Sequence, residues 1–218
     1  MQFPNDFTFG YFARFYTWMT ENPIWLANCA RLLEDLPIGA SVRVLDLGAG
    51  PGNSALAMGA DHPQRSFIAL DLVFSMTMLA QRTRVKAGWP PNRLVPLQAD
   101  VFHLPLADES VDAVTAHSFL YMLPNVEGAL AEAYRVLRPG GVVAFLEPRA
   151  GTPDWGWLAQ QPSFPFILSI GLWRIFSRIH RRFSPVALEM ALNRAGFHQV
   201  RTEATLGNFG IFGRGQKP

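Results

Sequence analysis

Several things are scarce in this chain of 218 residues, and each scarcity closes off a class of protein. Cysteine occurs once, at Cys29, so there is no internal disulfide and no cysteine-based metal site. Cys29 itself reads as a small buried apolar residue rather than a nucleophile. Charged residues make up only 17% of the chain against 49% hydrophobic ones, a globular balance and not a disordered one. No run approaches the roughly 20 apolar residues needed to span a bilayer. The longest, Phe164–Phe176, is interrupted by Pro165 and Arg174. The N-terminus lacks a basic n-region and an unbroken apolar stretch, so no secretory leader is expected and a cytoplasmic location is the default. Internal repeats and low-complexity segments are absent as well.

Aromatics, by contrast, are plentiful: 17 Phe and 6 Trp, concentrated in the first 25 residues and between Trp155 and Phe183. The net charge of +2 hides an asymmetry. Residues 1–148 carry 10 Lys/Arg against 14 Asp/Glu, whereas 149–218 carry 9 against 3, with four arginines between Arg174 and Arg182. An anionic partner or a solvated helix face would each account for that basic end.

Periodicity predicts alternating strands and helices. Phe9–Leu36 reads as helical in two pieces broken at Asn22-Pro23. Strands are expected at Val42–Leu47, Ser66–Asp71, Arg93–Gln98, Val111–Ala116 and Val142–Glu147. Helices are expected at Asn53–Ala60, Phe74–Lys86 and Val126–Leu137, the last stopped by Arg138-Pro139-Gly140-Gly141. The rhythm breaks from Pro148 to Phe183, an insertion with its own helix. Ser184-Pro185 restarts a helix as N-cap and first helical residue, Gly196 ends it, and strands near Gln199–Ala204 and Asn208–Arg214 finish the chain. Such β-α repetition calls for a parallel sheet covered by helices on both faces.

The most informative stretch is Val44-Leu45-Asp46-Leu47-Gly48-Ala49-Gly50-Pro51-Gly52-Asn53. A buried strand ends near an acid, and glycines at every second position let the backbone turn sharply and approach a ligand. Ligands of open α/β sheets bind at that end of the strands. The dinucleotide fingerprint Gly-x-Gly-x-x-Gly fails because position 53 is Asn53, and no Gly-Lys-Ser/Thr phosphate loop is present. A carboxylate at Asp46 would repel a pyrophosphate but attract an ammonium or sulfonium.

These residues resemble the first motif of class I S-adenosylmethionine (SAM)-dependent methyltransferases, in particular the small-molecule branch that includes the ubiquinone/menaquinone-biosynthesis C-methyltransferases. The resemblance runs over about Ser41–Leu146, through Gln98-Ala99-Asp100-Val101, Leu104-Pro105-Leu106-Ala107-Asp108-Glu109-Ser110-Val111-Asp112 and Arg135-Val136-Leu137-Arg138-Pro139-Gly140-Gly141. It implies a Rossmann-like α/β fold with a seven-stranded, mostly parallel sheet, an antiparallel last strand, N-terminal helices and a helical insertion after strand five. It implies one methyltransferase domain over 1–218, with a cap at 1–40, a SAM-binding core at 41–147, an insertion or lid at 148–183 and C-terminal elements at 184–218.

On the family's pattern, Gly48, Ala49, Gly50 and Gly52 cradle SAM and Asp46 helps hold its amino-acid end. Asp71 accepts the ribose hydroxyls, Leu72 packs on the adenine, and Asp100 with Val101 receives the adenine amine. Asp108 and Asp112 read as turn and strand-start residues. No metal is implied, and the product would be S-adenosylhomocysteine. His117, in the loop His117-Ser118-Phe119-Leu120-Tyr121, is either a proton acceptor or a lining residue of the SAM pocket. Tyr11, Tyr16, Trp18 and Tyr121 are candidates for acceptor or lid contacts, or else packing aromatics.

In the insertion, Leu168, Leu172, Ile175, Phe176, Ile179 and Phe183 share one face of a helix, opposite Arg174, Arg178, Arg181 and Arg182. Three readings stay open for 166–183: packing on the core, a lid over an apolar acceptor, or peripheral contact with an anionic membrane. The expected partner is a small, apolar methyl acceptor. A nucleic-acid substrate is disfavoured, because His117-Ser118-Phe119-Leu120 stands where an Asn/Asp-Pro-Pro-aromatic motif would hold a flipped base. The rival of another class is a SAM-binding scaffold without catalysis.

Overall fold

The computed structural model describes residues 21–218. Tyr11, Tyr16 and Trp18, together with the first half of the expected N-terminal helical region, lie outside the described residues.

Helix α1 (Pro23–Ala30) begins where the Asn22-Pro23 break was expected. The Asn22 side chain accepts the Ile24 N–H at 2.9 Å, and Pro23 occupies the first helical position, where no N–H is needed. A 3₁₀ turn, Arg31–Leu33, follows. Then come β1 (Arg43–Leu47), α2 (Asn53–Gly59), β2 (Ser66–Asp71), α3 (Phe74–Lys86), β3 (Leu94–Gln98), β4 (Val111–His117), a 3₁₀ turn at Leu120–Met122, α4 (Val126–Val136) and β5 (Leu137–Pro148). The insertion holds two helices where one was expected, α5 (Trp155–Ala159) and α6 (Phe164–Ile179). The chain ends with α7 (Pro185–Arg194), β6 (His198–Thr205) and β7 (Gly210–Gln216).

The seven strands form one sheet in the order β3-β2-β1-β4-β5-β7-β6. β1 to β5 run parallel, and β7 is antiparallel to both β5 and β6. The expected architecture is therefore the observed one. Strand interiors are apolar on both faces because helices cover both. Along β5, Val143 and Phe145 join the core that includes Leu130, Ala133, Leu188 and Leu192, whereas Val142, Ala144 and Leu146 join the one that includes Leu32, Leu33, Ala55 and Met58. β5 starts earlier than the sequence suggested: Leu137 already pairs with Val111, and the register shifts before Ala113 meets Val142.

The two acids read as structural have structural partners. Asp108 accepts from Arg135 at 2.6 Å, and Asp112 accepts from the Arg43 N–H at 2.7 Å and from Arg138.

The insertion is closed at its base. Phe183 N–H donates to Pro148 O at 2.9 Å and Ala150 N–H to Phe183 O at 2.8 Å. α6 is also tied to α1, by Trp25 Nε1 donating to Ser169 Oγ and Asn22 Nδ2 to Ser163 Oγ, both at 2.7 Å.

Of the three readings of 166–183, packing of the apolar face on the core is the one the structure overturns. The buried side of α6 is Phe166, Ser169, Ile170, Trp173 and Ser177. The face assigned from periodicity points the other way, with Ile175 65% and Ile179 75% exposed, and Phe183 lies beyond the helix. Two serines explain the inversion. Each is polar by composition yet buried with its hydroxyl bonded, Ser169 to Trp25 and Ser177 to Arg174 O and Arg182 Nε. Nor do the arginines form one solvated face. Arg174 donates to Arg149 O and Gly151 O at 2.7 and 2.6 Å, and Arg182 to Ser177 Oγ at 3.0 Å and Arg174 O.

Candidate SAM-binding site

The strand order sets the candidate residues in a row at the carboxyl ends of neighbouring strands: Asp100 after β3, Asp71 and Leu72 at β2, the glycine turn after β1, His117 at β4.

All three glycines of the turn have positive φ, +62° at Gly48, +52° at Gly50 and +81° at Gly52, a region that side chains with a Cβ adopt at a cost. The turn is leashed to β2, since Ala49 N–H donates to Leu70 O at 2.9 Å and Gly50 N–H to Asp71 Oδ2 at 3.0 Å. Asp71 Oδ1 accepts from Val73 N–H at 2.9 Å. Burial raises the Asp71 pKa, and these backbone donors pull it back down. Leu72 is half exposed, and its carbonyl receives Gln98 Nε2 at 3.1 Å. Asp100 is partly exposed and accepts the Phe102 N–H at 3.0 Å, beside a buried Val101.

Asp46 sits deeper than the sequence implied. It is buried beneath the turn, with one carboxylate oxygen receiving Ser54 Oγ and the other Thr115 Oγ1 at 2.8 Å. Burial pushes its pKa up to about 6 against the pull of those two hydroxyls. Its charge lies under the site, and its oxygens serve the fold first.

His117 closes the row. Its Nε2 is buried with no hydrogen-bond partner among the described residues, and its ring meets the Trp25 ring edge-on at 5.1 Å. Burial lowers its pKa to about 4, so the imidazole is neutral near pH 7. Of the two readings of His117, this favours a lining residue of the SAM pocket, since a conjugate acid this weak makes a poor proton acceptor.

A narrow cleft with a cavity volume of about 20 Å³ adjoins the turn and is lined by Gly48, Ala49, Asn53, Ser54 and His117 together with Leu26 and Cys29. Asn53 Nδ2 is a second buried polar atom without a partner in that lining. Burial pushes the Cys29 thiol well above its usual range, which leaves it un-ionised and unreactive. No group of three or more His, Cys, Asp or Glu side chains able to hold a metal stands together among the described residues.

Three residues emerge that spacing alone did not single out. Phe119 lays its ring across Gly48, so close that a Cβ on Gly48 would lie 2.1 Å from the ring. Glu147, fully buried at the end of β5, accepts the N–H groups of Phe119, Leu120 and Tyr121 at 3.1, 2.8 and 3.1 Å. Trp25 joins α1, α6 and His117 through rings 5.1 Å from both Trp173 and His117. An acid inside the apolar run Val142–Pro148 was the one visible signal for Glu147. Tyr121 is buried against His180, ring centroids 5.8 Å apart, and is not among the cleft-lining residues.

A family model described as a methyltransferase domain matches residues 45–145, which takes in the turn, Asp71, Asp100 and His117. Over these residues the chain is similar to the class I SAM-dependent methyltransferases. It is 40% identical over 108 residues to the ubiquinone/menaquinone biosynthesis C-methyltransferase UbiE of Dinoroseobacter shibae, covering 50% of this chain and 43% of that one. It is 35% identical over 158 residues to the malonyl-acyl-carrier-protein O-methyltransferase of Geobacter sulfurreducens, covering 72% and 56%. The chain thus spans about half the length of these curated methyltransferases. In three dimensions it is similar to the methyltransferase bound to the Haloferax volcanii Trm112 activator, with a TM-score of 0.73 at 19% identity over 96% of this chain and 95% of that one, a likeness of fold.

Proposed function

We propose that this chain is a class I methyltransferase that binds SAM along the carboxyl ends of β1–β4 and moves its methyl group to a small, apolar acceptor. The observation that carries the reading is the pair of buried polar atoms, Asn53 Nδ2 and His117 Nε2, without partners among the described residues and beside a positive-φ glycine turn. Buried polar atoms are costly unless something meets them, so a polar ligand is expected there. The lining holds no Lys or Arg, and Asp46 and Asp71 stand next to it, which suits a cationic ligand better than a pyrophosphate.

SAM supplies a methyl group on a sulfonium, already an activated leaving group. The chain's own task is then positioning. Gly48, Ala49, Gly50 and Gly52 let the backbone approach, Asp71 has lone pairs left for ribose hydroxyls, and Leu72, Asp100 and Val101 offer an apolar and a polar contact for a base. Leu26 and Cys29 give the His117 end an apolar wall, in keeping with a quinone-like or lipid-like acceptor. The relatives' names carry two different acceptors, so the acceptor is inferred from that wall.

Calorimetric titration with SAM, followed by a screen of quinones, phenols and phospholipids for release of S-adenosylhomocysteine, tests the reading. No binding at millimolar SAM would refute it, and binding without release over all acceptors would favour a non-catalytic scaffold. Asp71→Ala should weaken SAM binding by roughly tenfold or more, because it removes the proposed ribose acceptor and the Gly50 tether together; unchanged affinity would refute the assignment.

His117 gives a sharper test. A general base contributes about 10²–10⁴-fold. With the imidazole proton held so weakly, His117→Ala should lower kcat by less than about tenfold. Asp46 and Glu147 titrate between pH 6 and 7, so any inflection of the kcat profile there should persist in His117→Ala. A hundredfold loss together with disappearance of that inflection in the variant would restore His117 as the base.

A further inference from the structure

The outer face of α6 is the largest feature that methyl transfer leaves unexplained. Phe164, Leu168, Leu172, Ile175 and Ile179 fall within a sector of about 80° at 100° per residue, and the three most exposed, Phe164, Ile175 and Ile179, are 72%, 65% and 75% exposed. Phe176 flanks them, 45% exposed and stacked on His180. This face is held, not floppy: the opposite side of α6 is buried, Trp25 and Asn22 bond its serines, and the insertion is pinned at Arg149 and Phe183. Soluble surfaces rarely carry so contiguous an apolar row without a partner.

Charge says which partner. No Asp or Glu occurs between Asp154 and Glu189, whereas Arg178 and Arg181 are exposed on or just beyond the helix. Arg174 and Arg182 are bonded to carbonyl oxygens and take no part. α6 has 16 residues, and no helix among the described residues is long and apolar enough to cross a membrane, so an in-plane position is the one that suits it.

We infer that the outer face of α6 docks in the plane of an anionic lipid surface, its apolar row entering the acyl boundary and Arg178 and Arg181 meeting the head groups. A second copy of the chain fits less well. A two-fold contact sets the same patch against itself, and would bring arginines together with no acid on the face to pair them. The inference concerns where the protein works and stands whether or not the acceptor reading holds.

Vesicle flotation of the full chain tests it, using phosphatidylcholine alone and phosphatidylcholine with phosphatidylglycerol. The chain should float with the anionic vesicles and much less with the neutral ones. Ile175→Asp with Ile179→Asp should abolish flotation, and Arg178→Gln with Arg181→Gln should weaken it roughly tenfold and remove most of its salt dependence. All variants should keep the melting temperature and SAM affinity of the parent, since none of these side chains is buried. Failure of the parent to float would overturn the inference, as would flotation unchanged in the isoleucine variant or equal on both vesicles. A parent dimer that the isoleucine variant dissolves would show the occupant to be a second copy. Loss of SAM binding with flotation intact would count against the proposed function only.

Discussion

Gly48→Ala should lower stability by roughly 2–5 kcal/mol and remove measurable SAM binding, the largest effect expected of any single methyl group added to this chain. Two costs add. The backbone at Gly48 has φ +62°, where a residue with a Cβ is strained by about 1–2 kcal/mol. The new Cβ would also stand 2.1 Å from one Phe119 ring carbon and 2.7 Å from two more. Phe119 cannot retreat along the chain, because its N–H is held by Glu147 at 3.1 Å. Only its side chain can turn, and the turn after β1 must shift if it does not.

Gly52 provides the control. Its φ is +81°, but an added Cβ would meet nothing closer than Ala80 Cβ at 3.3 Å. Gly52→Ala should therefore cost mainly the backbone term, and less than Gly48→Ala. In Gly48→Ala with Phe119→Ala the contact cost should vanish and the backbone cost remain. Thermal melts of the four proteins and SAM titrations check this. A Gly52→Ala loss equal to that of Gly48→Ala would mean that the Phe119 contact decides nothing.

This contact also marks how far the residues themselves spoke. The spacing of Gly48, Gly50 and Gly52 after an apolar strand was legible because it is local: three successive demands on φ within five residues. Asp71 and Asp100 were legible as acids at strand ends, and the strand order then sets them beside the turn. What stayed hidden depends on partners far along the chain. Asp46 looked free to meet a ligand, but Ser54 and Thr115 occupy its oxygens. Burial lowers the His117 pKa, and the ring it meets, Trp25, lies far from it in sequence. In α6 the periodicity was real but did not say which face is buried, because Ser169 and Ser177 are buried through hydroxyl bonds that composition does not reveal. Phe119 and Glu147 meet across 28 residues of chain, through a backbone hydrogen bond, the kind of contact that no side-chain pattern announces.

Glu147 is where such a hidden contact should have its greatest consequence. Glu147→Ala would leave two buried N–H groups and one partly buried one without an acceptor, at about 1–3 kcal/mol each. That sum approaches the whole stability of an ordinary domain, so the alanine variant should be largely unfolded. Glu147→Gln is the readable change. Oε1 accepts from both Phe119 and Leu120, so one amide oxygen can keep two bonds, while the amide nitrogen faces the Tyr121 N–H and loses the third. Amide exchange at Tyr121 should quicken far more than at Phe119 or Leu120.

The titration of Glu147 separates this role from mere packing. Burial pushes its pKa up to about 7, above the ordinary glutamate value, with backbone donors alone pulling it down. A carboxyl whose pKa is raised by folding stabilises the folded state fully below its unfolded pKa. That contribution is lost as pH rises through the folded value. Stability should therefore fall between about pH 4.5 and 7, by an amount on the order of 2–3 kcal/mol from this group, and level off above. Asp46, pushed up to about 6, adds to the slope in the same sense. Glu147→Gln should abolish the fall between pH 6 and 7 and make the fall between pH 4.5 and 6 shallower, leaving there only the Asp46 part. The loop runs the other way: protonated Glu147 is a weaker acceptor, so the amides of 119–121 should exchange faster relative to the global rate at pH 6 than at pH 8. A protein whose urea midpoint rises from pH 5 to pH 8, with the glutamine variant following it in parallel, would show that Glu147 is not the group holding this loop over the glycine turn.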